Sequence, residues 1–235
     1  MTSRPVVVAV DGSEESLRAA EWAAIAARKL RATLRIVSVP AAPPRLYAVE
    51  VSEEMAASAL RGLAARALDS AIQRVRALGS DLDVDTCLLR GAPPFAVAEA
   101  ATGAAMLVVG ARGAGGFGSM TLGSVSRYAS AHAPCPVVVV REPPTAVRDE
   151  IVVGIEDVEQ SSDALAPWRE KYPGVPIRSE IVHGHAAWVM ASCTARAELV
   201  VLGRQPAGRG SGIASIRQAV LSHACGPVAI VPVSS

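Results

Sequence analysis

Short apolar runs alternate with longer amphipathic ones along the chain. Pro5–Val10 is continuous and rich in valine, which predicts a strand buried on both faces. Asp11-Gly12-Ser13 then turns the chain. Ser13 is placed to cap a helix running to Leu30, with Leu17, Ala20, Ala24 and Ala27 as its inner stripe. Thr33–Val39 reads as a second strand, after which Pro40, Pro43 and Pro44 force an irregular loop. Ser52 opens the longest helical pattern. Leu60, Leu63, Ala64, Ala67, Leu68, Ala71, Ile72, Val75 and Leu78 recur at helical spacing, and Gly79 supplies the stop. Asp83–Leu89, Met106–Val109 and Val137–Val140 read as strands three, four and five. A short helix begins at Pro93 and ends near Gly103, and another runs from Ser124 to Ala133. Strands alternating with helices predict an α/β fold with an open parallel sheet. Ligands of such sheets bind beyond the carboxyl ends of the strands, where Asp11 and the loop after the fourth strand both fall.

That loop carries the candidate chemistry. Gly110 and Gly113 are two residues apart, and Ala114–Leu122 leads to Gly123-Ser124. A glycine-rich backbone lets its N–H groups approach an anion closely. Ser124 stands where a helix N-cap belongs, so the turn behind it offers unpaired amides and the positive end of a helix dipole. Arg112 adds a cationic contact. The alternative is a plain connection with nothing bound.

After Arg141–Asp149, which reads as a linker, the pattern starts again. Glu150–Glu156 matches Val6–Asp11 at an offset of 145, and Leu199–Gly203 matches Met106–Gly110 at an offset of 93. Ile181–Gly184 matches Leu88–Gly91, and His223–Val228 matches His132–Val137. This is a tandem duplication whose second copy lacks 52 residues: one helix, the second strand, the proline loop and part of the long helix. Ser161–Lys171 remains as one helix. The strand Ile177–Val182 is expected to move in beside Ile151–Ile155, because an unfilled gap would leave backbone groups unpaired. That would give the second copy four strands in the order 3-1-4-5. The expected domains are 1–141 and 150–235.

Composition narrows the function classes. Hydrophobic residues are 51% and charged residues 19%, enough for a substantial core. Aromatics are 3%, so that core must be aliphatic. A net charge of +1 gives no basic excess to favour nucleic acid or an anionic membrane. The N-terminal apolar run is too short for a secretory signal, and 92–111 divides into a helix and a strand around its prolines and glycine. A cytoplasmic protein is expected. Cys87, Cys135, Cys193 and Cys225 form no C-x-x-C pair and read as free, mostly buried thiols. His183 and His185 alone are too few for a metal site.

Val8-Ala9-Val10-Asp11-Gly12-Ser13, Arg90-Gly91-Ala92-Pro93, the Gly110-x2-Gly113-x9-Gly123-Ser124 spacing and His132-Ala133-Pro134-Cys135-Pro136-Val137 together resemble the universal stress protein family, in its tandem-domain, ATP-binding form. The resemblance covers 4–141 and, weakly, 150–233. It implies a Rossmann-like five-stranded sheet ordered 3-2-1-4-5 with ATP in the cleft. It further implies that Asp11 lies near the nucleotide and Val39 contacts adenine. Gly110, Arg112, Gly113, Gly123, Ser124, Val125 and Ser126 are implied to bind ribose and phosphates. The fifth strands are implied to pair, Val137–Val140 with Val228–Val231, as a pseudo-dimer within one chain or again between two chains. Asp11 is the one carboxylate placed to help hold Mg2+ with the phosphates.

The second copy departs from this pattern. Glu156 and Asp157 stand for Asp11 and Gly12, Pro206 for Gly113 and Ala214 for Gly123, though Ser215 keeps the serine; its loop is two residues shorter. ATP is therefore expected in the first half only. No catalytic triad, paired carboxylates or Gly-Lys-Ser/Thr motif accompanies the glycine loop, so a nucleotide-dependent regulator is expected rather than an enzyme, with slow ATP turnover at most. The rival reading is an interaction module of the same fold that binds no nucleotide.

Overall fold

The computed structural model describes residues 3–41, 52–113, 122–141, 148–153, 166–168, 170–174, 185–204 and 211–232. In the first half, β1 (Val6–Ala9), β2 (Leu34–Ser38), β3 (Val84–Leu88), β4 (Met106–Gly110) and β5 (Val137–Val140) alternate with α1 (Glu14–Leu30), α2 (Glu53–Ala77), α3 (Pro93–Ala100) and α4 (Ser124–His132). The second half contributes β6 (Arg148–Val153), α5 (Ala186–Cys193), β7 (Ala197–Arg204), α6 (Ser211–His223) and β8 (Val228–Pro232). All eight strands form one sheet in the order β3-β2-β1-β4-β5-β8-β7-β6. The first half is parallel throughout and has the expected order 3-2-1-4-5.

The halves join edge to edge. β5 and β8 run antiparallel, with Val137 opposite Ile230, Val138 opposite Ala229 and Val139 opposite Val228. These are the two fifth strands, paired as the family resemblance implied. Beyond β8 the order β7-β6 repeats the β4-β1 arrangement of the first half. Residues 177–182, expected as a further strand, lie outside the described residues, as do Glu156, Asp157 and Pro206. Of the helix expected at 161–171, residues 166–168 and 170–171 are helical.

Side chains alternate across the sheet and feed two apolar layers. On one face Val7, Leu107, Val109, Val137, Val200 and Ile230 share a core with Val97, Ala129, Met190 and Val220 from α3, α4, α5 and α6. That core runs through both halves without a break. On the other face Val6, Val8, Ile36 and Val108 pack under Ala20 and Ala24 of α1 and Ala67 and Ala71 of α2. Alanine at these contacts lets helix and sheet approach closely, which is how a chain so poor in aromatics fills its interior.

Four expectations are corrected. Strand β6 begins at Arg148, inside the stretch read as linker. The helical stripe of α2 is only half used: Ala64, Ala67, Leu68, Ala71 and Val75 are buried, whereas Met55, Leu63 and Leu78 are exposed. A helix of 25 residues spans about 38 Å, roughly twice the length of the five-residue strands it covers, so its ends overhang the sheet. The cysteines are all free, yet only Cys135 is buried. Cys87 lies on the edge strand β3 and Cys225 follows α6, and both are exposed. Finally, the N-cap of α4 is Gly123 and not Ser124, with no side-chain cap.

Candidate functional site

The carboxyl ends of β1, β2 and β4 meet the first turns of α1 and α4. After β1, Gly12 takes φ +83°, a left-handed conformation that favours glycine. This turn lets Ser13 cap α1, its hydroxyl accepting from the Ser16 amide at 3.3 Å. Asp11 is held by the same turn. Its Oδ1 accepts from the Ser13 amide at 3.0 Å and from the Ser13 hydroxyl at 2.6 Å. Asp11 N–H in turn donates to Ser16 Oγ at 3.3 Å. Buried Ser38, at the end of β2, ties that strand to the turn by donating to the Val10 carbonyl at 2.7 Å. Val39 follows it, half-buried against the core.

The glycine loop is fixed from several sides. A Cβ on Gly110 would lie 2.9 Å from the Glu15 carbonyl carbon and 3.0 Å from the Ser16 nitrogen, so β4 ends in backbone contact with α1. The Ala111 amide continues the ladder to Val140 at 2.9 Å, and its carbonyl accepts from the Gly123 amide at 2.7 Å. The Ser126 hydroxyl, buried, donates to the Gly110 carbonyl at 2.5 Å. Gly113 comes against Asp11: a Cβ there would collide with Asp11 Oδ2. Gly123 lies beside it, where a Cβ would stand 3.3 Å from the Ala111 carbonyl oxygen. Sequence neighbours 102 residues apart, Asp11 and Gly113, thus form one wall of a cradle.

At the floor of that cradle α4 starts without a side-chain cap. Its first-turn amides, at Ser124, Val125 and Ser126, are those a helix leaves without intrahelical acceptors. Ser124 is exposed and carries its hydroxyl at the same edge. Glycine at the cap therefore favours the donor function of this helix end more than the expected serine would, since a serine N-cap occupies one amide itself.

Arg112 is not a bare cation. Glu15, in the first turn of α1, accepts from the Arg112 amide at 2.6 Å and from its Nε at 2.8 Å, and Arg112 Nη2 lies 2.8 Å from Glu15 Oε1. Glu15 was not among the sequence-derived candidates. The two residues are 97 apart, and a glutamate in a first helical turn reads as ordinary dipole compensation. Behind the pair stands Arg141. Burial lowers its pKa, Glu15 opposes that shift and Arg112 adds to it. Its Nη2 donates to the Leu221 and Ser222 carbonyls at the end of α6, at 2.8 and 3.4 Å.

The structure thus brings Asp11, Gly110, Arg112, Gly113, Gly123, Ser124, Val125 and Ser126 to one end of the sheet, with Val39 at the neighbouring strand end. Several have structural bonds of their own, among them Asp11 to Ser13, Ser126 to Gly110 and Arg112 to Glu15. Among the described residues no group of three His, Cys, Asp or Glu could hold a metal ion, and no helix is long and apolar enough to cross a membrane.

Comparison with known proteins identifies the family and the fold. A universal stress protein of Mycobacterium tuberculosis is 29% identical over 290 aligned positions, covering 96% of this chain and 96% of its own. One from Thermus aquaticus is 35% identical over 140 residues, 59% of this chain and 98% of its own. A crystal structure of a universal stress protein from Archaeoglobus fulgidus superposes over 99% of both chains with a TM-score of 0.68 at 15% identity, a likeness of fold. The sequence profile of the universal stress protein family matches residues 2–141, and the chain belongs to that family.

Proposed function

We propose that the first half binds one adenine nucleotide, ATP, at the carboxyl ends of β1, β2 and β4, and that the second half binds none. The observation that carries this reading is the contact of Gly113 with the Asp11 carboxylate beside the uncapped start of α4. A side chain at 113 would fill the cradle, and a side-chain cap on α4 would take one of its donors. Val39 and Asp11 border the adenine side. The Gly113 backbone and the first turn of α4, from Ser124 to Ser126, face the ribose and phosphates. Gly110, Arg112 and Gly123 shape the loop that brings these donors together. When Mg2+ accompanies the nucleotide it supplies charge neutralisation for the phosphates, with Asp11 as its protein-side partner.

The protein acts by binding and not by turnover. Asp11, the carboxylate nearest the cradle, is committed to the Ser13 amide and hydroxyl. Hydrolysis needs a group that orients water toward the terminal phosphate, and the second carboxylate beside the cradle, Glu15, is given to the Arg112 amide and guanidinium. We further propose a cytoplasmic, nucleotide-dependent regulator in the stress response, with the second half as its built-in partner. The β5–β8 pairing already occupies the edge of each fifth strand, so the chain is its own pseudo-dimer.

Release of bound nucleotide from purified protein, followed by titration calorimetry with ATP, tests the reading. One ATP per chain, without phosphate release over the titration, is the expected result. No binding at millimolar ATP would leave the glycine loop as structure and favour an interaction module. Two equivalent sites would overturn the assignment to the first half.

A further inference from the structure

We infer that Glu15 sets the phosphate-number preference of this site by cancelling the charge of Arg112; the inference rests on the adenine-nucleotide reading above. From Gly110 to Ser126 the loop contains a single charged side chain, Arg112. Its guanidinium and its backbone amide are both given to Glu15. Glu15 is held in place by α1, whose first turn is fixed by the Ser13 cap and by the backbone contact with Gly110. The Glu15 side chain is only 18% exposed, so its pairing with Arg112 is less screened than an ion pair standing in open solvent.

Among the described residues beside the loop, two further charges oppose each other. Asp11 contributes one carboxylate, and Arg141, half-buried behind the loop, one guanidinium that is aimed at the α6 carbonyls. Glu14 turns away to Arg74 and Arg18. Among these four described groups, two carboxylates and two guanidiniums, the charges cancel. Phosphates meet neutral backbone donors, and each further phosphate gains little from long-range attraction. Removing the Glu15 charge would release Arg112 and leave one net positive charge, which a triphosphate feels more strongly than a monophosphate.

The test is the ratio of ATP to AMP affinity, measured by calorimetry without added divalent metal at low and high ionic strength. Glu15→Gln keeps an oxygen to accept the Arg112 amide and removes the charge. The ratio should rise about tenfold and the gain should shrink with salt. Arg112→Gln should lower the ratio, and the double variant, which removes one charge of each sign, should restore it to within about twofold of wild type. Parallel weakening of AMP and ATP in all three variants would overturn the inference and leave Glu15 as a prop for the loop. Should Glu15→Gln not fold, the unmodified chain still decides: a balanced cradle gives a ratio nearly independent of salt, and a steep dependence overturns the inference. Failure of the unmodified chain to bind either nucleotide would instead remove the site itself.

Discussion

The carboxyl ends of β4 and β7 occupy equivalent places in the two halves, and the sequence has put them to opposite uses. After β4 comes Ala111, small and fully buried, which lets the backbone bend under the Gly113–Asp11 cradle. The matching position at the end of β7 is Arg204, whose Nη atoms donate to the Ser130 carbonyl at 3.4 Å and the Ala133 carbonyl at 2.5 Å, across the pseudo-two-fold at the end of α4. Arg141 makes the reverse connection, from the first half to the end of α6. Each arginine thus completes the last carbonyls of a helix in the other half, where positive charge is favoured by the helix dipole. Ser126, which clasps Gly110 in the first half, is matched by Arg217, whose pKa burial lowers. On the proposed reading, one strand end is kept open for a ligand. The other has become a strut for its neighbour.

If the second half is a structural partner, the halves should not unfold separately. Ile230 is fully buried in the core that runs through both of them. Ile230→Ala should cost about 2–5 kcal/mol, and urea denaturation followed by circular dichroism should still show one transition at a lower midpoint. Two separated transitions, with the first-half signal unmoved, would break the comparison by showing independent domains.

Two glycines sharpen it next. In the second half a Cβ on Gly226 would collide with the Thr194 backbone carbonyl, which cannot swing aside as a side chain can. Thr194 is itself fully buried and accepts from the Cys225 amide at 2.8 Å. Gly226→Ala should therefore destabilise the chain by about 1–3 kcal/mol, with the ATP affinity of the folded fraction intact. Gly113→Val meets the Asp11 carboxylate at a half-buried position. Its stability loss should stay below about 1 kcal/mol, while ATP affinity should fall by about tenfold or more as the carboxylate is driven from its place. Reversed outcomes in thermal melts and calorimetry would mean that the cradle is structural.

These contrasts show which parts of the molecule were legible in the sequence. The valine runs of β1, β4 and β5 fixed their own identity, because strands covered on both faces must be apolar throughout. The family resemblance implied the β5–β8 pairing, and the duplication supplied the second fifth strand. The glycine spacing marked two close approaches, Gly110 against the α1 backbone and Gly113 against the Asp11 carboxylate. What stayed hidden depends on tertiary partners. Nothing near Arg112 in sequence announces Glu15, and nothing near Ser130 announces Arg204. The apolar positions of Leu63 and Leu78 gave a true helix but a false stripe, because periodicity does not report where the sheet beneath it ends. The α4 cap was misplaced by one residue because serine and glycine are both good caps, and the loop geometry chose between them.

Arg204→Ala then weighs the strut. Loss of its bonds to α4 leaves the Ser130 and Ala133 carbonyls short of donors, at a cost of about 1–2 kcal/mol. Nucleotide affinity should move less than about twofold, because the end of α4 lies a helix length from the cradle. A larger loss of ATP binding would mean that the second half supports the site directly, and that the two halves are less divided in their roles than the strand ends imply.

The smallest effect should come from the other connection between the halves. Lys29 of α1 donates to Glu198 of β7 at 2.6 Å, a short distance that invites a large energy. Exposure argues otherwise: the two side chains are 63% and 36% exposed, so water and salt screen the pair and its ordering entropy offsets much of the gain. Lys29→Ala should shift the unfolding free energy by no more than about 0.5 kcal/mol, and salt should not change the difference between variant and wild type measurably. A loss as large as that of Arg204→Ala would show that surface charge joins the halves as firmly as the half-buried arginine does. The expected gap between the two variants instead places the connection in the shared core and in the helix-end bonds of Arg141 and Arg204, where desolvated donors meet carbonyls that have no other acceptor role to fill.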